Sequence, residues 1–356
     1  MLTQREVHYV DIIPRDLECV MVADIGGTNS NFGFFSIKPY THGFESTILT
    51  SIHIKSQQIT DFPTAVEDIL NYVKKTYGMT IKRSCFAAAG VVSENHDYCK
   101  PTNLNFIIDS KQIMAKTGLT CAVIVNDFEV IGHGLHKLPS KSLIQVHHGT
   151  QRPRANRAII GAGTGLGKCM LMWDNELSRY LPHASEGGHA DFPAQNQLEL
   201  DLINFIKTIN KNQCNVSWED MLSGNGIEHM YLFFKQRNSH VAASPQLKNG
   251  LPPDEVFRSR NLDEHSKNSF QLYAQIYARC AKDFALDALA LGGIYIAGGI
   301  ASKNLPLFEQ SSFLNEFESC GKQQALLKQV PIFVITDYDV SLYGAVEYMI
   351  LEGLCG

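Results

Sequence analysis

Seven short runs along the chain are apolar almost without interruption: ECVMVAD (18–24), SCFAAAGVV (84–92), CAVIVND (121–127), RAIIGAG (157–163), KCMLMW (168–173), GIYIAGG (293–299) and IFVITD (332–337). Because they do not alternate with polar positions, they read as strands buried on both faces of a sheet. Between them the period changes. In FPTAVEDILNYVKKTYG, Phe62, Val66, Ile69, Leu70 and Val73 recur at helical intervals and make one apolar face, and QNQLELDLINFIKTI and SFQLYAQIYARCAKDFALDALA repeat that spacing. Such segments predict amphipathic helices. Strands alternating with helices predict an α/β fold. Two stretches, 137–157 and 235–255, carry turn-forming and charged residues and read as surface loops.

The pattern also echoes itself. A strand, a Gly/Thr turn and a second strand occur at VADIGGTNSNFGFF and again at AIIGAGTGLGKCMLM, each heading a further series of strands and helices. The echo predicts two related halves facing each other across a cleft.

The turns carry the first hint of chemistry. A backbone that wraps phosphate oxygens needs residues without a Cβ, so that several N–H groups converge on the anion, with a hydroxyl to complete the cradle. Gly26, Gly27 and Thr28, followed by Asn29, meet that need, as do Gly163, Thr164 and Gly165. A hairpin turn is the competing reading of either one alone. The second turn is neither a dinucleotide fingerprint nor a P-loop: Gly161, Gly163, Gly165 and Gly167 alternate, and Lys168 is followed by Cys169. A third turn, IAGGIA, places Gly298 and Gly299 directly after a buried strand, where open α/β sheets bind ligands. Asp24 ends its strand beside the first turn and is placed to hold a hydrated Mg²⁺, or simply to initiate the turn.

Composition narrows the field. At 356 residues, 44% hydrophobic and 19% charged, the chain has a normal globular balance and length for two domains. A net charge of −5 with scattered cations argues against a nucleic-acid partner. Nine cysteines with no CxxC pair indicate neither a disulfide framework nor a zinc site, and fit a reducing, cytoplasmic setting. The first twenty residues contain acids and a proline where a signal peptide needs an apolar core. The most apolar region, FALDALALGGIYIAGGIA, contains Asp287 and four glycines, which argues against a membrane span.

Six blocks in order, DIGGTN, VNDF (125–128), GAGTGLG, SEGGHADF (185–192), WEDMLSGNGI (218–227) and GGIYIAGGI (292–300), resemble the bacterial-type glucokinase family of the actin-like sugar-kinase superfamily. The resemblance runs over about residues 18 to 345. The segment DFPAQNQLEL after EGGH has no cysteine, unlike the zinc-bearing kinase and repressor relatives, which points to the glucokinase branch. It implies two actin-like (ribonuclease H-like) α/β lobes, with mixed sheets flanked by helices around a central cleft. Residues 1–125 plus 341–356 would form the small domain and 126–340 the large one.

The resemblance also implies the roles. Asp127, after CAVIV and one Asn, is the expected base for the sugar hydroxyl; capping of the following helix is the competing reading. Asn103, Asn126, Glu186, His189 and Glu219 are the expected sugar ligands, since carboxylates and amides can bind neighbouring hydroxyls in pairs. A buried histidine or a metal ligand remains open for His189, and a first-turn helix acid for Glu219. Gly187 and Gly188 would let the backbone approach the sugar ring. The expected substrates are glucose and ATP with Mg²⁺, and a homodimer follows by analogy only. Two positions depart from the family: Asn31 stands where GGTNxR has arginine, and Val91 where a proline is usual.

Three readings compete with a glucose kinase. One is a kinase for mannose, glucosamine or an N-acetylated sugar, with ADP or polyphosphate also open as donor. A sensing protein of the same fold would not require Asp127, and a carboxylate kinase would not need the EGGH segment.

Overall fold

The computed structural model describes residues 4–13, 18–40, 43–210, 214–237 and 251–354. The chain divides into two compact units, one within Met1–Leu138, Tyr180–Ala184 and Asp339–Gly356, the other within Pro139–Arg179 and Ser185–Tyr338. The division falls after Leu138, where the sequence reading placed it after residue 125.

The first unit begins with strands β1 (Gln4–His8), β2 (Glu18–Ile25), β3 (Asn29–Tyr40) and β4 (Gly43–Lys55). Helix α1 (Phe62–Tyr77) and strand β5 (Thr80–Ala88) follow, then the short β6 (Tyr98–Cys99) and β7 (Ile108–Asp109), α2 (Ser110–Thr117), β8 (Cys121–Asn126) and α3 (Asp127–Gly134). Its sheet has six strands in the order β1-β4-β3-β2-β5-β8. The hairpin β2–β3 is antiparallel, whereas β2, β5 and β8 run parallel.

The uninterrupted apolar run of β2 has a direct cause. Cys19, Met21, Ala23 and Ile25 face one core, with Phe62, Val66, Ile69 and Val73 of α1. Val20 and Val22 face another, with Val130 of α3 and with Leu342, Ala345 and Val346 of the final helix, α12 (Val340–Leu351). Side chains alternate across a strand, so a strand covered on both faces must be apolar throughout. α1 starts where the Asp61 carboxylate accepts the Thr64 amide at 3.0 Å, and it stops at Gly78, whose φ of 71° is left-handed.

The second unit repeats the core motif. Strands β9 (Leu143–His147), β10 (Arg157–Ala162) and β11 (Leu166–Asp174), followed by β12 (Arg179–Ser185), whose residues 180–184 count with the first unit, lead into helices α4 (Gln197–Ile209), α5 (Trp218–Met221), α6 (Gly224–Arg237), α7 (Pro253–Arg258) and α8 (Glu264–Asp287). Then come β13 (Ile294–Ala297), α9 (Gly299–Lys303), α10 (Ser311–Glu318), α11 (Gln324–Leu327) and β14 (Ile332–Ile335). Strand order β11-β10-β13-β14 matches β3-β2-β5-β8: an antiparallel hairpin on one side and two parallel strands on the other. The echo seen in the sequence is therefore a repeated topology.

One expectation is corrected. The stretch 137–157 is not all loop, because LIQVH forms β9 and pairs antiparallel with β14. It is a short edge strand set among polar residues, so its apolar signal is weak. Of the second expected loop, residues 238–250 lie outside the described residues. No helix among the described residues is long and apolar enough to cross a membrane.

Candidate active site

In the first unit the candidate residues gather at one end of the sheet. The registers Ile25↔Ala88 and Ala88↔Asn126 set the C-terminal ends of β2, β5 and β8 level with one another. Asp24 and Asp127 therefore stand at the same sheet end, two strands apart, or about 10 Å in the hydrogen-bonding direction.

The turn Gly26–Thr28 closes the β2–β3 hairpin and is bound from β4's end by one residue, Ser56. The Ser56 amide donates to the Thr28 carbonyl at 3.1 Å and its hydroxyl to the Gly26 carbonyl at 2.6 Å, with Ser30 Oγ 2.9 Å away. Two carbonyls that would repel an anion are thus satisfied by the protein. Asn29 is committed in part, since its Oδ1 accepts from Lys55 Nζ at 2.8 Å. Gly27 and Asn103 line one cavity of about 260 Å³, with Ser56, Gln57, Asn105 and Phe106.

Asp24 lies on the sheet face covered by α12. Its Oδ2 accepts the Ser341 hydroxyl at 2.7 Å. Burial pushes its carboxyl above the usual carboxylate range, and the Ser341 hydrogen bond offsets that in part. The next strand pairs Asp24 with Asn31, whose buried Oδ1 has no hydrogen-bond partner. Asn31, the departure from the family's arginine, thus brings no cation to Asp24. Among the described residues no group of three or more His, Cys, Asp or Glu could hold a metal ion. A lone carboxylate suits Mg²⁺, which retains several waters, and a buried anion gains from a cation beside it.

Asn126 and Asp127 divide two tasks. Asn126 caps α3, its Oδ1 accepting the Phe128 and Glu129 amides at 2.9 and 3.2 Å, while its Nδ2 donates to the Gly90 carbonyl at 3.3 Å. The cap considered for Asp127 belongs to Asn126. Asp127 is the first residue of α3 and half-buried, with Oδ1 3.1 Å from the Phe128 amide. α3 in turn packs on α12 backbone to backbone. A Cβ on Gly344 would lie 1.6 Å from the Val130 carbonyl oxygen, and one on Gly134 2.3 Å from that of Val340.

The remaining candidates belong to the second unit, where Leu166, the first residue of β11, is the contact point for Glu219 and for the backbone between Glu186 and His189. In the turn before it, the Gly163 amide donates to the Gly165 carbonyl at 2.8 Å, and the Gly224 amide to the Gly163 carbonyl at 3.0 Å. The Glu219 carboxylate, in the first turn of α5, accepts the Leu166 amide at 2.8 Å. The Leu166 carbonyl faces Gly188, where a Cβ would come within 2.0 Å. Gly188 is therefore required by packing against β11. Its neighbours Glu186 and His189 are half-exposed, with His189 Nε2 3.6 Å from Glu186 Oε2. Thr164 sits between the turn's two glycines, and Gly298, φ 93°, follows β13, which pairs with β10. A Cβ on Gly298 would lie 2.6 Å from the Ala162 carbonyl, so only glycine fits, while Gly299 begins α9.

Ser56, Ser341 and Lys168 also take part, and none of them stands out in the sequence. Lys168 is buried, 5.7 Å from the Trp218 ring and 5.3 Å from that of Phe284, beneath Gly187. No local motif marks any of the three, since each acts on a residue distant in sequence.

Two α/β units with one repeated sheet topology and glycine turns at the strand ends define an actin-like sugar-kinase fold. A family model described as Glucokinase matches residues 21–351. A glucokinase of Nostoc sp. is 33% identical over 344 residues, covering 92% of this chain and 97% of the relative. Among solved structures, a glucokinase from Balamuthia mandrillaris in complex with glucose superposes with a TM-score of 0.77 at 18% identity, covering 94% of each chain. A ROK family glucokinase from Streptomyces griseus, in complex with glucose and AMPPNP, gives 0.59 at 15% identity over 93% of this chain and 98% of the other. The chain belongs to the glucokinase family.

Proposed function

We propose that the protein catalyses ATP-dependent phosphorylation of glucose, and that Asp127 takes the proton of the C6 hydroxyl as that oxygen attacks the γ-phosphate. The products are glucose 6-phosphate and ADP, with the proton left on Asp127. The observation that carries the assignment is the division of labour at the start of α3. Asn126 supplies the cap, and Asp127 heads α3 half-buried at the sheet end that also holds Asp24 and the Gly26–Thr28 turn, which is the position a base for the sugar hydroxyl needs.

The two glycine turns, with Asn29, Gly298 and Gly299, are assigned to ATP. Asn103, Glu186, His189 and Glu219 are assigned to glucose, and Asn126 through its amide nitrogen alone, because its oxygen is committed to α3. Glu219 has one oxygen on Leu166 and a second to offer a hydroxyl. Asp24 is the residue that would hold Mg²⁺, and the ion would supply neutralising charge for the phosphates. A cytoplasmic homodimer is proposed by family analogy.

A coupled ADP-release assay over a hexose panel tests this reading. Glucose should give the highest kcat/KM with ATP. A higher value for mannose, glucosamine or an N-acetylated sugar would reassign the substrate, and no sugar-dependent turnover would replace the kinase by a sugar-sensing protein.

A further inference from the structure

The N-terminal segment contributes nothing to the four-strand motif that the two units share, yet it reaches the candidate site by a short chain of contacts. Strand β1 pairs with β4 at the sheet edge, and the next residue, Tyr9, donates its hydroxyl proton to Asp339 Oδ2 at 2.7 Å. Tyr9 is held there by its own amide, 3.1 Å from the Leu49 carbonyl, and its hydroxyl lies 3.3 Å from Ser51 Oγ.

Asp339 occupies the N-cap position of α12, where an aspartate ordinarily accepts the helix's own amides. It makes no such side-chain cap, and instead accepts the hydroxyl of Tyr9. Two residues on, Ser341 donates to Asp24. The first turn of α12 is thus tied to the sheet at two points, one on the edge and one on the candidate metal carboxylate. The same stretch is the floor for α3, through Gly134 against Val340 and Gly344 against Val130. A shift of α12 has no slack at these glycine contacts and must carry α3, with Asp127 at its head.

We propose that Tyr9 is a positioning residue. By fixing Asp339 it sets α12, and α12 aligns both Asp24 and Asp127. The inference rests on the roles given to those two carboxylates above. Misplacement by a fraction of an ångström costs rate more than affinity when the displaced groups act on the reacting atoms.

Tyr9→Phe removes one hydroxyl and leaves the ring. It should lower kcat roughly tenfold, with KM for glucose and for ATP unchanged. Asp339→Asn keeps an acceptor for Tyr9 and should retain wild-type kcat, whereas Asp339→Ala should match Tyr9→Phe. An unchanged kcat in Tyr9→Phe, or a loss shared equally with Asp339→Asn, overturns the proposal. Amide exchange supplies a readout independent of turnover: residues 127–134 and 340–346 should exchange faster in Tyr9→Phe, and unchanged protection there also overturns it. A wild type without glucose turnover would sink the kinase reading alone and leave the exchange result to decide whether Tyr9 holds α12 and α3.

Discussion

The Glu219 carboxylate holds the Leu166 amide at 2.8 Å, and the glycine turn before Leu166 is shaped around that oxygen. A Cβ on Gly165 would lie 2.4 Å from Glu219 Oε2. Gly165→Ala should therefore push Glu219 away from its place, raising KM for glucose at least roughly tenfold, the scale of one lost hydrogen bond to a charged group. Glu219→Gln keeps an acceptor for Leu166 but loses the charge, and should fall between wild type and Gly165→Ala. Steady-state kinetics on the two variants checks the order.

Asp24 gives a pH-dependent expectation. Burial raises its folded-state pKa above the ordinary carboxylate value, so the folded state holds this proton more tightly than the unfolded chain. Stability from this group is complete below the unfolded value and is lost as pH rises towards the folded one. Asp24→Asn, which cannot ionise, should be more stable than wild type at pH 7 without Mg²⁺, and the gain should vanish as pH falls to about 4. Urea denaturation of both proteins across that range measures it. A variant less stable than wild type at pH 7 would contradict the burial of an unpaired anion.

Arg279 makes a bidentate ion pair with Glu199 at 2.8 and 3.0 Å, both side chains being buried, and adds Glu316 at 3.1 Å. Arg279→Leu would leave the Glu199 charge buried without its guanidinium. The expected loss is about 3–5 kcal/mol, read from the denaturation midpoint at constant m. Exposed pairs offer a control: Lys303→Ala, which breaks a 3.7 Å contact with Asp254 at the surface, should change stability by less than about 1 kcal/mol.

What was legible in the sequence was local. The hairpin turns at Gly26–Thr28 and Gly163–Gly165 could be read because glycine spacing and flanking apolar runs lie within a dozen residues. The cap at Asn126 could not, because Asn and Asp stand side by side at the start of α3 and either can accept its amides. β9 was hidden by its polar neighbours. Ser341 could not be linked to Asp24, because 317 residues separate them and only the packing of α12 on the first sheet joins them. Gly188 could be marked as a place of close backbone approach, but its contact with the carbonyl of Leu166, 22 residues away, could not. Tertiary contacts of this kind leave no period or motif behind.

The most direct measurement is the rate of glucose phosphorylation by Asp127→Asn beside its affinity for glucose. Asn preserves the size of the side chain, and Asn126 still caps α3. If Asp127 is the base, kcat should fall by at least roughly a hundredfold, the usual worth of a general base, while the dissociation constant for glucose stays within a few-fold of wild type. Turnover close to wild type in this variant would remove Asp127 from the chemistry and require another residue to accept the hydroxyl proton.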